Sequence, residues 1–206
     1  GINTNRWSAL SVANMVDLIR TSSLIVKQSR KDARVMIELT NIFNEFVASD
    51  VQGCSARVFL SRLSQEGVRL DAMGVQCFVG GDNGKSAVDL LRISSKLDEF
   101  LHLDFPLIIS AFGSPSETIK EEYGWWKSKW SESQQEQWAG QFLAIALSKP
   151  FVDSVIWADL YDHGNMDVPS SAFISTEGKA RPVLSRLLSI RNRLKKPLGV
   201  SEEQSD

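Results

Sequence analysis

Ile108-Ile109-Ser110-Ala111-Phe112-Gly113 decides how this chain is read. Pro106 precedes an apolar run over 107–109 that breaks into small residues, as a buried parallel strand does where it empties into a loop. The spacing predicts a strand over 106–110, with 111–117 leaving it as a loop. Similar runs stand at 34–39, 70–78 and 152–157, roughly 35 residues apart, the period of a parallel strand plus its return helix.

Helical patterns fill the intervals. Between 8 and 28, Val12, Met15, Val16, Ile19, Ser23 and Val26 share one face. Phe59, Leu60 and Leu63 mark a second helix, closed by Gly67, and Leu90, Ile93, Leu97, Phe100 and Leu101 a third. Ser131-Glu132-Ser133-Gln134 has the form of a capping box ahead of Trp138, Phe142 and Ile145. The last helix carries Val183, Leu187, Ile190 and Leu194, with Pro182 in its first turn.

One helix followed by four βα units is expected to be the C-terminal half, strands 5–8, of a (β/α)8 barrel, a fold that takes ~250 residues when complete. The domain is expected to run over 1–200, beginning just after the fourth barrel strand, with 201–206 as a polar tail. Residues 1–7 read as domain interior. An open, doubly wound four-stranded sheet is the competing architecture, and it would make the chain a small α/β interaction or regulatory module. Its phosphate fingerprint is missing, because the loop 80–84 lacks Gly-x-Gly-x-x-Gly spacing.

Composition narrows the function classes. The 206 residues are 43% hydrophobic and 23% charged with a net charge of -2, which describes an ordinary globular chain and no dominant basic face. Nucleic acid is therefore not an expected partner, and the Lys/Arg cluster over 186–196 suits the C-terminal end of a helix. No run reaches the ~18 apolar residues of a membrane span, so no membrane partner is expected. Cys54 and Cys77 have neither metal-ligand spacing nor the number for a disulfide framework, and no metal or cofactor is expected.

The chemistry-bearing residues gather at the strand ends. Asn41, Asn44 and Glu45 follow the first, Gln76, Cys77 and Phe78 end the second, 111–117 follow the third, and Trp157, Asp159, Asp162 and His163 close the fourth. Trp125, Trp126 and Trp130 interrupt an otherwise polar loop, where indole rings suit either stacking on a ligand or a local packing cluster. Trp157 at a strand terminus suits the same two roles, and Gln76 either bonds a ligand, orients a catalytic neighbour or is satisfied by backbone. Asp159, Asp162 and His163 read as a polar rim or as turn chemistry. Glu38 is placed inside the barrel or at its base, without an identified partner.

Three of these segments, in order and at matching spacing, resemble family 10 (xylanase-type) glycoside hydrolases. Asp71-Ala72-Met73-Gly74-Val75-Gln76 resembles that family's strand 6, Ile109-Ser110-Ala111-Phe112-Gly113 its strand 7, and Val155-Ile156-Trp157 its strand 8. The resemblance implies a retaining barrel glycosidase acting on a β-linked oligo- or polysaccharide, with an extracellular or periplasmic location. It also implies a partner, the N-terminal half of the barrel, in the same protein or a second chain. Ala111 then stands at the nucleophile's position, and Gln76, Trp157, Trp125, Trp126, Glu117, Asp159, Asp162 and His163 are candidate substrate contacts.

The departures carry equal weight. Phe78 replaces a histidine of the family pattern, Ala111 replaces the nucleophilic glutamate, and the acid/base residue belongs to a strand upstream of Gly1. Retaining hydrolysis uses two carboxyl groups ~5–5.5 Å apart. The chain as written is expected not to turn over a glycoside. Two origins fit Ala111: deliberate replacement of a nucleophile, or natural decay into a carbohydrate-binding protein.

Overall fold

The computed structural model describes residues 10–40, 42, 54–80, 89–118 and 129–195. Its elements alternate as the periodicity predicts: α1 (Val12–Ser29), β1 (Met36–Leu39), α2 (Ala56–Gln65), β2 (Ala72–Phe78), α3 (Leu90–Asp98), β3 (Leu107–Gly113), α4 (Glu132–Leu147), β4 (Val152–Trp157) and α5 (Pro182–Leu194). Local chemistry sets the helix ends. Ser11, Ser55, Asp89 and Ser131 each accept a backbone N–H of the first turn, satisfying a donor the helix itself leaves unpaired. Helix α2 stops at Gly67, whose φ of +66° suits glycine; its N–H reaches Ser64 O, and Val68 N–H reaches Leu63 O.

The four strands are parallel and lie in the order β1-β2-β3-β4. Sequential parallel neighbours joined by right-handed crossovers send every helix to the same face. The core has that arrangement: Ile37, Val75, Ile109 and Phe112 from the sheet join Phe59, Leu97 and Phe142 from the helices in one buried cluster. A doubly wound sheet would divide its helices between two faces, so that alternative is excluded. The opposite face of the sheet is open, and Met36 and Ile156 on it are 45% and 50% exposed.

Strands β1, β2 and β3 begin one or two residues later than expected, and two further boundaries differ for a visible reason. Helix α1 begins at Val12 rather than at Ser8, because Ser11 supplies the cap. Strand β3 continues to Gly113, so Ala111 lies within the strand and not in the loop after it. The reason is a bulge. Val75 pairs with Ile109 but Gln76 pairs with Ala111, leaving Ser110 as an extra residue on β3.

Candidate functional site at the C-terminal edge of the sheet

The alternation of side chains along a strand sorts the candidate residues by face. Ile37 and Leu39 of β1 point to the helices, which leaves Glu38 on the open face. Gln76 sits likewise between buried Val75 and Cys77 of β2. Its Nε2 donates to Glu38 Oε2 at 2.7 Å, and Ser110 Oγ donates to Glu38 Oε1 at 2.5 Å. Three strands thus contribute to one polar knot on the open face, in a position where the periodicity of β1 alone leaves Glu38 looking isolated.

Ala111 pairs with Gln76, so its methyl group faces the same open side. It is half-buried and at the C-terminal end of the sheet, the edge where parallel α/β folds carry their sites. A methyl group neither attacks nor holds charge. Ala111, the residue that the resemblance sets at a nucleophile's position, thus lies on the open face at this edge with a side chain capable of neither.

Trp157 departs from the expected platform role. It pairs with Phe112, whose ring stacks on Phe142 of α4, so Trp157 turns toward the helices. Its ring meets Phe112 edge-on at 4.7 Å between centroids and stacks on Phe173 at 5.0 Å. The indole N–H donates to Ser171 O at 3.1 Å. Both the ring and the donor are committed to packing, and the side chain lines the groove between β4, α4 and α5.

The residues following β4 separate into two groups. Asp162 is drawn inward, its carboxylate accepting two hydrogen bonds from Arg181 and one from Ala172 N–H, with the Asp162 and Arg181 side chains 10% and 6% exposed. As a rim group it is a correction, since the ion pair fixes the loop and leaves the carboxylate little surface. Asp159 and His163 stay nearer the solvent. His163 Nε2 lies 3.2 Å from Asp159 Oδ1, while His163 Nδ1 accepts Asn165 N–H, which is turn chemistry at the mouth.

Glu117 is exposed, and it accepts a hydrogen bond from Ser170 Oγ at 2.5 Å. Ser170 has a φ of 53°, the single non-glycine left-handed residue among those described, and Ser116 donates to its carbonyl through both N–H and Oγ. The loops after β3 and β4 are joined at this point. Beneath them Gln135 Nε2, fully buried, donates to Ser114 O and Ser171 O. Neither Gln135 nor Arg181 was singled out from the sequence, because nothing in a local pattern links residues brought together by two separate loops.

Trp130 is buried, 6.4 Å from Trp138 and edge-on to it, so it belongs to the packing cluster. Trp125, Trp126, Asn41, Asn44 and Glu45 lie outside the described residues. His102 is on the surface. Burial raises both thiols, Cys77 strongly, and no group of three His, Cys, Asp or Glu side chains among the described residues is arranged to hold a metal. No helix among the described residues is long and apolar enough to cross a membrane.

No family model matches the chain, and no curated protein matches it. Solved structures do. Xylanase 10B from Thermotoga petrophila RKU-1, in complex with xylobiose, superposes with a TM-score of 0.60 and 14% identity, covering 86% of this chain and 52% of the xylanase. A GH128 (subgroup II) endo-β-1,3-glucanase from Sorangium cellulosum gives 0.62 and 17%, over 91% of this chain and 66% of its own. A β-glucuronidase from Bifidobacterium dentium gives 0.58 and 13%, over 85% and 26%. The chain spans about half the length of the xylanases it matches. The likeness is one of fold: four parallel strands and their helices that match part of the (β/α)8 barrel in each of these proteins.

Proposed function

We propose that this chain is the C-terminal half of a carbohydrate-active barrel, that it binds a β-linked oligosaccharide at its mouth, and that it does not cleave the sugar. One observation carries the reading: Ala111 faces the open side at the C-terminal end of β3, beside Gln76. A retaining enzyme keeps its attacking carboxylate at such a strand end. With alanine there, no glycosyl-enzyme bond can form, whatever acid/base the rest of the barrel supplies. Either origin of Ala111, replacement or decay, gives this same chemistry.

The proposed ligand contacts are Gln76 on the sheet, Glu117, Asp159 and His163 on the joined loops, and Trp125 and Trp126 as stacking platforms. The proposed covering partner is the N-terminal half-barrel, with residues 1–200 as one half of a single domain. Apolar groups stand uncovered along both flanks: Leu18 and Ile25 of α1 are 51% and 57% exposed, and Leu188 and Leu194 of α5 are 42% and 64% exposed. A groove of about 390 Å³ runs along the β4–α5 side, lined by Leu147, Val155 and Leu187 among others. A parallel sheet open on one face and at both edges is a poor end state for backbone and side chains alike.

Calorimetry of the full-length protein with xylobiose, cellobiose and laminaribiose tests the reading, with product analysis of the same mixtures. Saturable heat with intact disaccharide is the expected outcome. No binding to any of the three, or release of monosaccharide by the unmodified protein, overturns it.

A further inference from the structure

The open face holds a carboxylate that hydrolysis by a strand-end nucleophile does not require. Glu38 is half-buried in the centre of the polar knot, and Gln76 and Ser110 are its two donors. Two half-buried carboxylates elsewhere are held by cations: Asp71 meets Lys27 and Asp162 meets Arg181. Among the described residues, Glu38 meets no lysine or arginine.

A carboxylate offers about four lone-pair positions, and two of these are filled. Gln76 keeps its Oε1 as a further acceptor, since its Nε2 is committed to Glu38. The surface so formed beside Ala111 is therefore rich in acceptors and holds a carboxylate that no described lysine or arginine meets. Hydroxyl donors of an uncharged sugar complete it. A sugar carboxylate brought to the same place meets Glu38 as a like charge in a half-buried setting, where the repulsion is weakly screened.

We infer that Glu38 is a ligand-binding residue of this site, that it accepts hydroxyl protons of the bound sugar, and that it selects neutral sugars over uronic acids. The inference rests on the carbohydrate-binding reading above and deepens it.

The test uses the full-length protein and two probes that differ only at C6, p-nitrophenyl β-D-glucoside and p-nitrophenyl β-D-glucuronide, with xylobiose as reference. Unmodified protein is expected to bind the glucoside at least tenfold more tightly than the glucuronide. Glu38→Gln is expected to weaken glucoside binding on the order of tenfold, the scale of one hydrogen bond to a charged group, and to bring the ratio toward one. A purely structural role for Glu38 would lower both affinities and leave the ratio unchanged, which overturns the inference. So does a preference for the glucuronide in the unmodified protein. Should Glu38→Gln unfold by circular dichroism, Glu38→Asp keeps the charge and withdraws it by one methylene. Weaker glucoside binding with the preference retained then supports the role, and unchanged affinity overturns it. Binding of xylobiose that is indifferent to Glu38 removes this inference alone; absence of all sugar binding removes the carbohydrate reading with it.

Discussion

Ala111 stands opposite Gln76 at the one point where the β2–β3 ladder slips by a residue. The slip inserts Ser110, and it is Ser110 that reaches Glu38 across the open face. A bulge re-aims side chains at a strand end, and here it puts a hydroxyl and a methyl group side by side. The site is thus built from a local irregularity on a regular scaffold. Gln76 links the two residues of interest, paired with Ala111 through the backbone and bonded to Glu38 through its side chain.

Trp157 is expected to act on stability and not on affinity. Its ring lies between Phe112 and Phe173, so Trp157→Ala should cost on the order of 3 kcal/mol, read as a fall in Tm. Trp157→Phe retains the stacking and loses the bond to Ser171 O, at about 1 kcal/mol. Reduced sugar affinity with an unchanged Tm would place Trp157 against the ligand after all.

Removing either member of the Asp162–Arg181 pair leaves a buried charge without a partner. Asp162→Ala and Arg181→Ala are each expected to cost about 3–5 kcal/mol in denaturant unfolding. Because they act on one interaction, the double substitution should cost well under the sum. Additive losses would show that the two side chains act independently.

The Lys27 ammonium, 2.7 Å from Asp71, and the Val35 N–H, 2.6 Å from the same oxygen, hold the Asp71 carboxyl below the usual carboxylate range. A depressed folded-state pKa stabilises above the unfolded value, about 3.9, and that contribution disappears as the pH falls through the lower folded value. Asp71→Asn should therefore be less stable than the parent at pH 7. The difference should narrow below about pH 4 and vanish once the parent carboxyl is protonated. A difference that stays constant from pH 7 to pH 2 would show that the charge is not its source.

Much of the fold was legible because it repeats. Apolar runs such as 107–109 and 152–157 mark strands buried on the helix side, and each is followed by a capped, amphipathic stretch such as that opened by Ser131. Sequential order then leaves one topology. The site was legible only in part. Ala111 and Gln76 could be found by motif, but the bulge that extends β3 has no local signature. Glu38 had a readable one: alternation with Ile37 and Leu39 puts it on the face of Gln76. Trp157 misled because an aromatic at a strand end faces either way, and only its pairing with Phe112 decides. Asp162 resembled its neighbours Asp159 and His163 until Arg181, nineteen residues on, claimed it.

Residues 1–206 alone are expected to associate, with a separately expressed N-terminal half-barrel or with a second copy, since β1 and β4 are the edge strands of the described sheet and Met36 and Ile156 face outward. Sedimentation velocity reads this directly. A cooperative, monodisperse monomer with no second chain present would contradict it.

The claim that Ala111 occupies a nucleophile's position is tested most directly by putting the carboxylate there. Ala111→Glu in the full-length protein, incubated with 2,4-dinitrophenyl 2-deoxy-2-fluoro-β-glycosides of xylose and glucose, should form a covalent glycosyl-enzyme. Such a leaving group departs without protonation, so labelling does not depend on an acid/base residue elsewhere in the barrel. Intact mass spectrometry is expected to show one added fluorosugar, with peptide mapping to residue 111 and no adduct on the unmodified protein. A folded Ala111→Glu protein that takes up no label from either sugar, or that is labelled at another residue, would contradict the account.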